Sequence, residues 1–223
     1  MSENSLRYPL LERYYQQYLE DEDSAQFIRQ VTSNYIPGSL KRLFRCGRVS
    51  TRRAAILAIG FIADFEMNET IGGALGDRDR AVRMLAEHNI RQVWRRQGSS
   101  HEQNLLGKLE QLNATKQFQQ SVELASELLD SNCLLGEAWN QRAVAHATDG
   151  NLEQAIFDCR ETLNCNRYHF PAAVGMGHCQ LKLDDVCGAL HSFRLALAIN
   201  PDLESLRLPV SYTHLTLPTK RIV

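Results

Sequence analysis

The sequence predicts an all-α fold, a solenoid of stacked antiparallel helix pairs. Three observations carry this. Residues 136–169 and 170–203 lie over one another without a gap at a step of 34 residues, each with two helix-length stretches around a short polar turn. Upstream, apolar residues recur at spacings of three and four, the period of a helix. Pro, Gly, Asp and Asn fall at helix-length intervals, where turns belong.

The first helix is expected over Leu6–Leu19, where Leu6, Leu10, Leu11, Tyr14, Tyr15 and Tyr18 share a face. Phe27, Ile28 and Val31 belong to a second helix, expected to stop at Pro37–Gly38. The stretch "SLKRLFRCGRVSTRRAAILAIGFIADF" reads as two more helices meeting at Gly47. Gly76–Arg96 closes this half, with Asp79 placed to cap its helix and Val82, Leu85, Ala86, Ile90 and Val93 as the buried stripe. Gly98-Ser99-Ser100 then breaks the chain, and Ser100 is the expected cap of the next helix. The junction Arg95–Asn104 is too short for a free tether, so the two halves are expected to abut.

In the second half the turns are "TDGN" (Thr148–Asn151) and "LDDV" (Leu183–Val186). Small residues recur where two helices cross closely: Ala143 over Gly177, and Ala155 over Ala189. Trp139, Ile156, Leu163, Met176, Leu190, Phe193 and Leu197 fill the space between. Pro201 biases Asn200 out of helical geometry and ends the last helix. One step earlier, 102–135 keeps Phe118, Val122 and Leu128 in register but lacks the aromatic and the glycine, so it is a degenerate first copy. The domains are therefore 1–97 and 102–208. The second comprises repeats 102–135, 136–169 and 170–203 and the start of a capping helix at 204–208.

Gly136–His169 carries Trp139, Ala143 and Ala155, and Phe170–Leu203 carries Gly177, Ala189, Phe193, Ala196 and Pro201. These residues make the second half resemble the tetratricopeptide repeat, although Arg142, His146, Cys159, Thr162 and Arg167 depart from its pattern. Asp77, Asp79, Val82, Arg83 and Ala86, with a weaker copy at Thr51–Gly60, make roughly residues 24–96 resemble the HEAT repeat. In that family an Asp and an Arg six apart, here Asp77 and Arg83, tie stacked units together. The combination is similar to bacterial HEAT–tetratricopeptide proteins of unassigned function. The resemblance implies a right-handed superhelix whose first helices line a concave groove.

Composition excludes several classes. The chain has 25 Lys and Arg against 26 Asp and Glu, and gives no global pull toward nucleic acid or membrane. Residues 1–100 hold 15 basic and 12 acidic side chains (net +3), whereas 101–208 hold 8 and 14 (net −6). The N-terminus shows no basic region followed by an apolar run, and the longest apolar run, Ala54–Ala63, is about half a bilayer span. A cytoplasmic protein is expected. Six cysteines, Cys46, Cys133, Cys159, Cys165, Cys179 and Cys187, form no CxxC and no zinc-like spacing, so free thiols and no metal are expected. "GMGHCQ" (Gly175–Gln180) lacks the third glycine and the preceding strand of a phosphate loop.

The tail "VSYTHLTLPTKRIV" (Val210–Val223) is β-prone and breaks the pattern. It is similar, residue for residue, to a translated transposase adapter of shotgun sequencing. The natural chain is thus expected to diverge near Leu208.

The function expected is a protein-interaction scaffold without catalysis or cofactor, since no HExxH, GxSxG, Walker or zinc signature occurs. The groove positions carried over from the repeat family are Asn140, Val144, Ala147 and Thr148, then Val174, His178, Leu181 and Lys182. The family's carboxylate clamp needs Lys and Asn where this chain has Leu106, Glu110 and Gln141, so the partner is not expected to be a terminal carboxylate. One alternative is nucleic-acid contact through Lys41, Arg42, Arg45, Arg48, Arg52 and Arg53, which lie in 13 residues without an acid. In that stretch Arg52 could instead serve pairing between repeats. Another is a docking arm of a larger enzyme.

Overall fold

The computed structural model describes residues 9–204 and Leu206, and among these there is no strand. The tail from Val210 and Leu6 of the first expected helix lie outside the described residues. The chain divides into two compact units between Trp94 and Arg95.

The first unit contains α1 (Leu10–Asp21), α2 (Ser24–Asn34), α3 (Pro37–Cys46), α4 (Val49–Ile62), α5 (Asn68–Ala74) and α6 (Arg80–Arg95) up to Trp94, the last residue Arg95 belonging to the second unit, with one 3-10 turn (Phe65–Met67) before α5. Its core is α4. The run Ala54–Ile59 is apolar on every side, a pattern that only a fully enclosed helix tolerates. The helices α1, α2, α3 and α5 all contact α4. Tyr18, Phe27 and Phe61 join α1, α2 and α4 as a ring trio with centroids 5.3–6.0 Å apart. At Gly60 the Asn89 side chain of α6 occupies the space a Cβ would need, 2.1 Å away.

The second helix stops ahead of Pro37–Gly38 as expected: α2 ends at Asn34, Tyr35 and Ile36 are extended, and Pro37 then opens α3 at its first position, where its missing N–H costs nothing. One expectation fails here for a local reason. The cap of the helix after the junction is Ser99 rather than Ser100. Its hydroxyl accepts from the Glu102 N–H while the Glu102 carboxylate receives the Ser99 N–H, a reciprocal box. Asp79 does cap α6, accepting from the Val82 N–H at 3.0 Å.

The second unit contains α7 (Ser100–Ala114), α8 (Phe118–Ser131), α9 (Gly136–Asp149), α10 (Leu152–Cys165), α11 (Phe170–Lys182) and α12 (Val186–Ile199). Each helix packs on the next, so the unit is a stack of three antiparallel pairs. The 34-residue step is visible in the backbone itself. Within each pair the turn carries a left-handed residue at Lys116 (φ 61°), Gly150 (φ 90°) and Asp184 (φ 60°). Between pairs stand Asn132, Asn166 and Asn200, whose side-chain oxygens accept from the backbone N–H two residues on at 3.2, 3.1 and 3.1 Å.

Three apolar clusters follow the same step. The first centres on Leu106, Leu109, Ala125 and Leu128, the second on Ala143, Ala155, Cys159 and Met176, and the third on Ala173, Ala189, Phe193 and Ala196. Leu206 is seated in the third. Cys159 fills the place of Phe193 one repeat earlier, and burial pushes its thiol up to about 12. Gly177 meets Phe193 so closely that a Cβ would lie 2.5 Å from the ring, whereas one at Gly107 on α7 would meet nothing within 4 Å.

Two glycine substitutions of opposite sign test this packing. Gly177→Ala is expected to cost about 1–3 kcal/mol by overpacking, and Gly107→Ala to gain up to about 1 kcal/mol from helix propensity. Urea denaturation of both variants reads the difference.

Candidate functional site

In the second unit the first helix of each pair touches its counterparts: α7 contacts α9, and α9 contacts α11. Contacts between α8 and α10, or between α10 and α12, are sparser. Closer packing on one side curves a stack, so the layer α7–α9–α11 is the inner one.

Polar bonds fasten that layer. The Asn113 amide on α7 donates to the Gln141 carbonyl and side-chain oxygen on α9, at 2.9 and 2.8 Å. His169 joins α9 to α11. Its Nδ1 accepts the Ala172 N–H at the start of α11 (3.2 Å), so Nε2 is the nitrogen that donates to Glu137, 3.1 Å away. Burial pushes the Glu137 carboxyl up, but the bonds from His169, Gln141 and Asn140 outweigh it and hold the group below its ordinary range. Glu110 on α7 is paired with Arg95 at 2.7 Å.

The eight expected groove residues separate into two sets. Val144 and Leu181, both 43% exposed, stand in solvent with Thr148, His178 and Lys182. The His178 ring packs edge-on against Phe193 at 5.2 Å. The other three are held from within. Asn140 is half-buried with its amide on Glu137 (3.2 Å), and Ala147 and Val174 pack onto the apolar clusters. At the clamp positions Leu106 is buried, while Glu110 and Gln141 are bonded as above.

Sequence reasoning missed a buried ion pair behind this layer. Arg142 on α9 grips Asp158 on α10 through two bonds of 3.0 and 2.8 Å, donates to the Ser126 hydroxyl on α8 at 3.0 Å, and stacks on Trp139 at 4.7 Å. The Asp158 side chain is 1% exposed, and His146 Nε2 lies 3.9 Å from it. The departures at Arg142 and His146 therefore make a polar core in that repeat. Their signal was a charged residue at a core position of a repeat that has an acid 16 positions on.

In the first unit, Arg48, Arg52 and Arg53 are not the open cations of the nucleic-acid alternative. Arg48 holds Glu12 (2.7 and 3.1 Å), Arg52 holds Asp77 (2.9 Å twice) and Arg53 holds Asp79 (2.8 and 2.7 Å). Each carboxylate comes from another part of the unit, where a scan of the basic run alone finds no acid. Lys41, Arg42 and Arg45 on α3 make no ion pair among the described residues, and Arg42 and Arg45 are exposed. Arg83 donates to the Asp77 carbonyl at 2.9 Å, so the expected Asp77–Arg83 tie runs through the backbone while the carboxylate serves Arg52. No group of three or more His, Cys, Asp or Glu placed to hold a metal occurs among the described residues. No helix among them is long and apolar enough to cross a membrane.

No protein-family model matches the chain, and no curated protein does. Three solved structures similar in shape are tetratricopeptide-repeat proteins. The first such domain of Spaghetti (RPAP3), bound to an HSP90 peptide, is 15% identical with a TM-score of 0.49, covering 53% of this chain and 94% of its own. The Arabidopsis OM64 domain is 19% identical at 0.49, with coverage of 52% and 97%. YrrB, described as having an unusual peptide-binding site, is 16% identical at 0.45, with coverage of 91% and 99%. At that level the likeness adds nothing to the fold evident from the chain's own geometry.

Two predictions follow from the ion pairs. Arg142→Met leaves the Asp158 carboxylate buried and uncompensated, and is expected to cost about 3 kcal/mol by urea titration. Asp79 is held at about 2, chiefly by the Arg53 guanidinium, with burial opposing and the Val82 N–H assisting. A depressed carboxylate stabilises the fold above its unfolded value and loses that contribution as pH falls. The Tm difference between the native chain and Asp79→Asn should therefore be full at pH 6 and shrink from pH 4 toward 2.

Proposed function

We propose that the second unit is a tetratricopeptide-type interaction scaffold, and that its inner layer α7–α9–α11 receives an extended or helical segment of a partner protein. The observation that carries this reading is the inner layer's chemistry. Its buried acid Glu137 already has hydrogen-bond partners within the layer, and Val144, His178 and Leu181 remain open on α9 and α11. Such a surface offers apolar contact with a few polar anchors, the means by which helix and strand segments are held. The first unit, with Arg52 gripping Asp77 across it, is read as a HEAT-like support. The protein is proposed to act in the cytoplasm, where unpaired cysteines persist as thiols.

A partner's terminal carboxylate finds no cation at Leu106, Glu110 or Gln141, so an internal segment is the better fit. Nucleic-acid contact is reduced to Lys41, Arg42 and Arg45. Three phosphate contacts give a salt slope of only about −2.7, weak for a dedicated binder.

Panning a peptide-display library on the protein tests the scaffold. Selected peptides should lose at least tenfold in affinity on Val144→Lys or Leu181→Lys and keep it on Phe157→Ser, a change on the outer helix α10. Affinity that survives both groove changes contradicts the assignment.

A further inference from the structure

We infer that Cys133 and Cys165 form a peroxide-responsive thiol pair that oxidises to a disulfide across the second repeat. Cys133 is exposed in the connection between α8 and α9, and Cys165 is half-buried as the last residue of α10. The Cys165 thiol donates to the Cys133 carbonyl oxygen at 3.4 Å. A carbonyl oxygen lies roughly 2.4 Å from its own Cα, which places the Cys165 sulfur within about 6 Å of the Cys133 Cα. Closing the bond then requires both side chains to turn about χ1 until the sulfurs are about 2 Å apart with the two Cα atoms within about 7 Å.

The surroundings fix this approach. Trp139 Nε1 also donates to the Cys133 carbonyl, at 2.8 Å, which pins the connection against the helix pair. Gly136 leaves room beside Cys165; a Cβ there would already sit 3.4 Å from the Cys165 Cβ. The pair is particular to this step of the stack. One repeat later the same two positions hold Arg167 and Ile199. Cys159 and Cys179, by contrast, are buried core filler.

The two thiols take different parts. Burial, the Glu161 carboxylate and Cys133 itself push the Cys165 thiol up, so it is the poorer nucleophile at neutral pH. The Cys133 thiolate attacks one oxygen of hydrogen peroxide, breaking the O–O bond and releasing water after protonation, and becomes a sulfenic acid. The Cys165 sulfur then displaces the hydroxyl from the Cys133 sulfur and loses its proton. Two thiols and one peroxide become a disulfide and two waters. The new bond closes a loop over 133–165 that encloses α9 and α10, and so restrains the unfolded chain at the repeat bearing Val144.

The test treats the reduced chain with hydrogen peroxide and measures intact mass, then digests without reduction using trypsin. Cleavage separates Cys133 (in 117–142), Cys159 (in 143–160) and Cys165 (in 161–167) into different peptides. The expected result is a loss of about 2 Da (two hydrogens leave as one disulfide forms) in the monomer. The 117–142 and 161–167 peptides should be joined, dithiothreitol should restore them, and Tm should rise on oxidation. Cys46→Ser/Cys187→Ser, which removes the other exposed thiols, should behave identically. Absence of that linkage, its formation between two chains, or a crosslink through Cys159 in its place would overturn the inference.

Discussion

The second unit depends on two backbone corners repeated every 34 residues. After each first helix a residue turns left-handed, and after each second helix an Asn side chain closes a turn on the chain ahead. Glycine at position 150 meets the first demand without strain, while Lys116 and Asp184 adopt it at some cost, offset by the packing their corners allow. Because both corners recur, each helix pair arrives in the same orientation on the last. The apolar clusters, the close Gly177–Phe193 crossing and the inner layer all follow from that registration.

Polar chemistry is placed where it keeps the layers from sliding. Asn113–Gln141 and His169–Glu137 act between successive first helices, and Arg142–Asp158 acts between the two helices of one pair. These groups are directional, whereas apolar contact alone leaves register loosely specified. Once they are satisfied internally, the inner surface keeps few charges to offer, which is why its recognition is assigned to exposed aliphatic and imidazole groups.

Much of this was legible in the sequence, and the reasons differ by residue. The 34-residue step and the Ala143/Gly177 and Ala155/Ala189 registers could be read because helix crossing demands small side chains at fixed intervals. The bends at Gly47 and Pro201 could be read because those residues act on their own neighbours. Pro37 could be read as the stop after α2 but not as the first residue of α3, because proline both ends and begins helices and only the chain around it decides which. The pairings of Arg48 and Arg53 were hidden because their carboxylates lie 36 and 26 residues away, whereas the repeat resemblance already left Arg52 a pairing role, which it fills with Asp77 25 residues on. Among the groove residues, Asn140, Ala147 and Val174 were placed by position alone, which does not reveal that each already has a partner.

The central claim is that recognition occurs on the inner layer of the second unit. Methyl-resolved NMR of the whole protein, titrated with a peptide selected on it, addresses this most directly. The account predicts shifts concentrated at Val144, Val174 and Leu181, with Leu152, Leu190 and Leu195 on the outer helices unmoved. Shifts confined to α10 and α12 would contradict it.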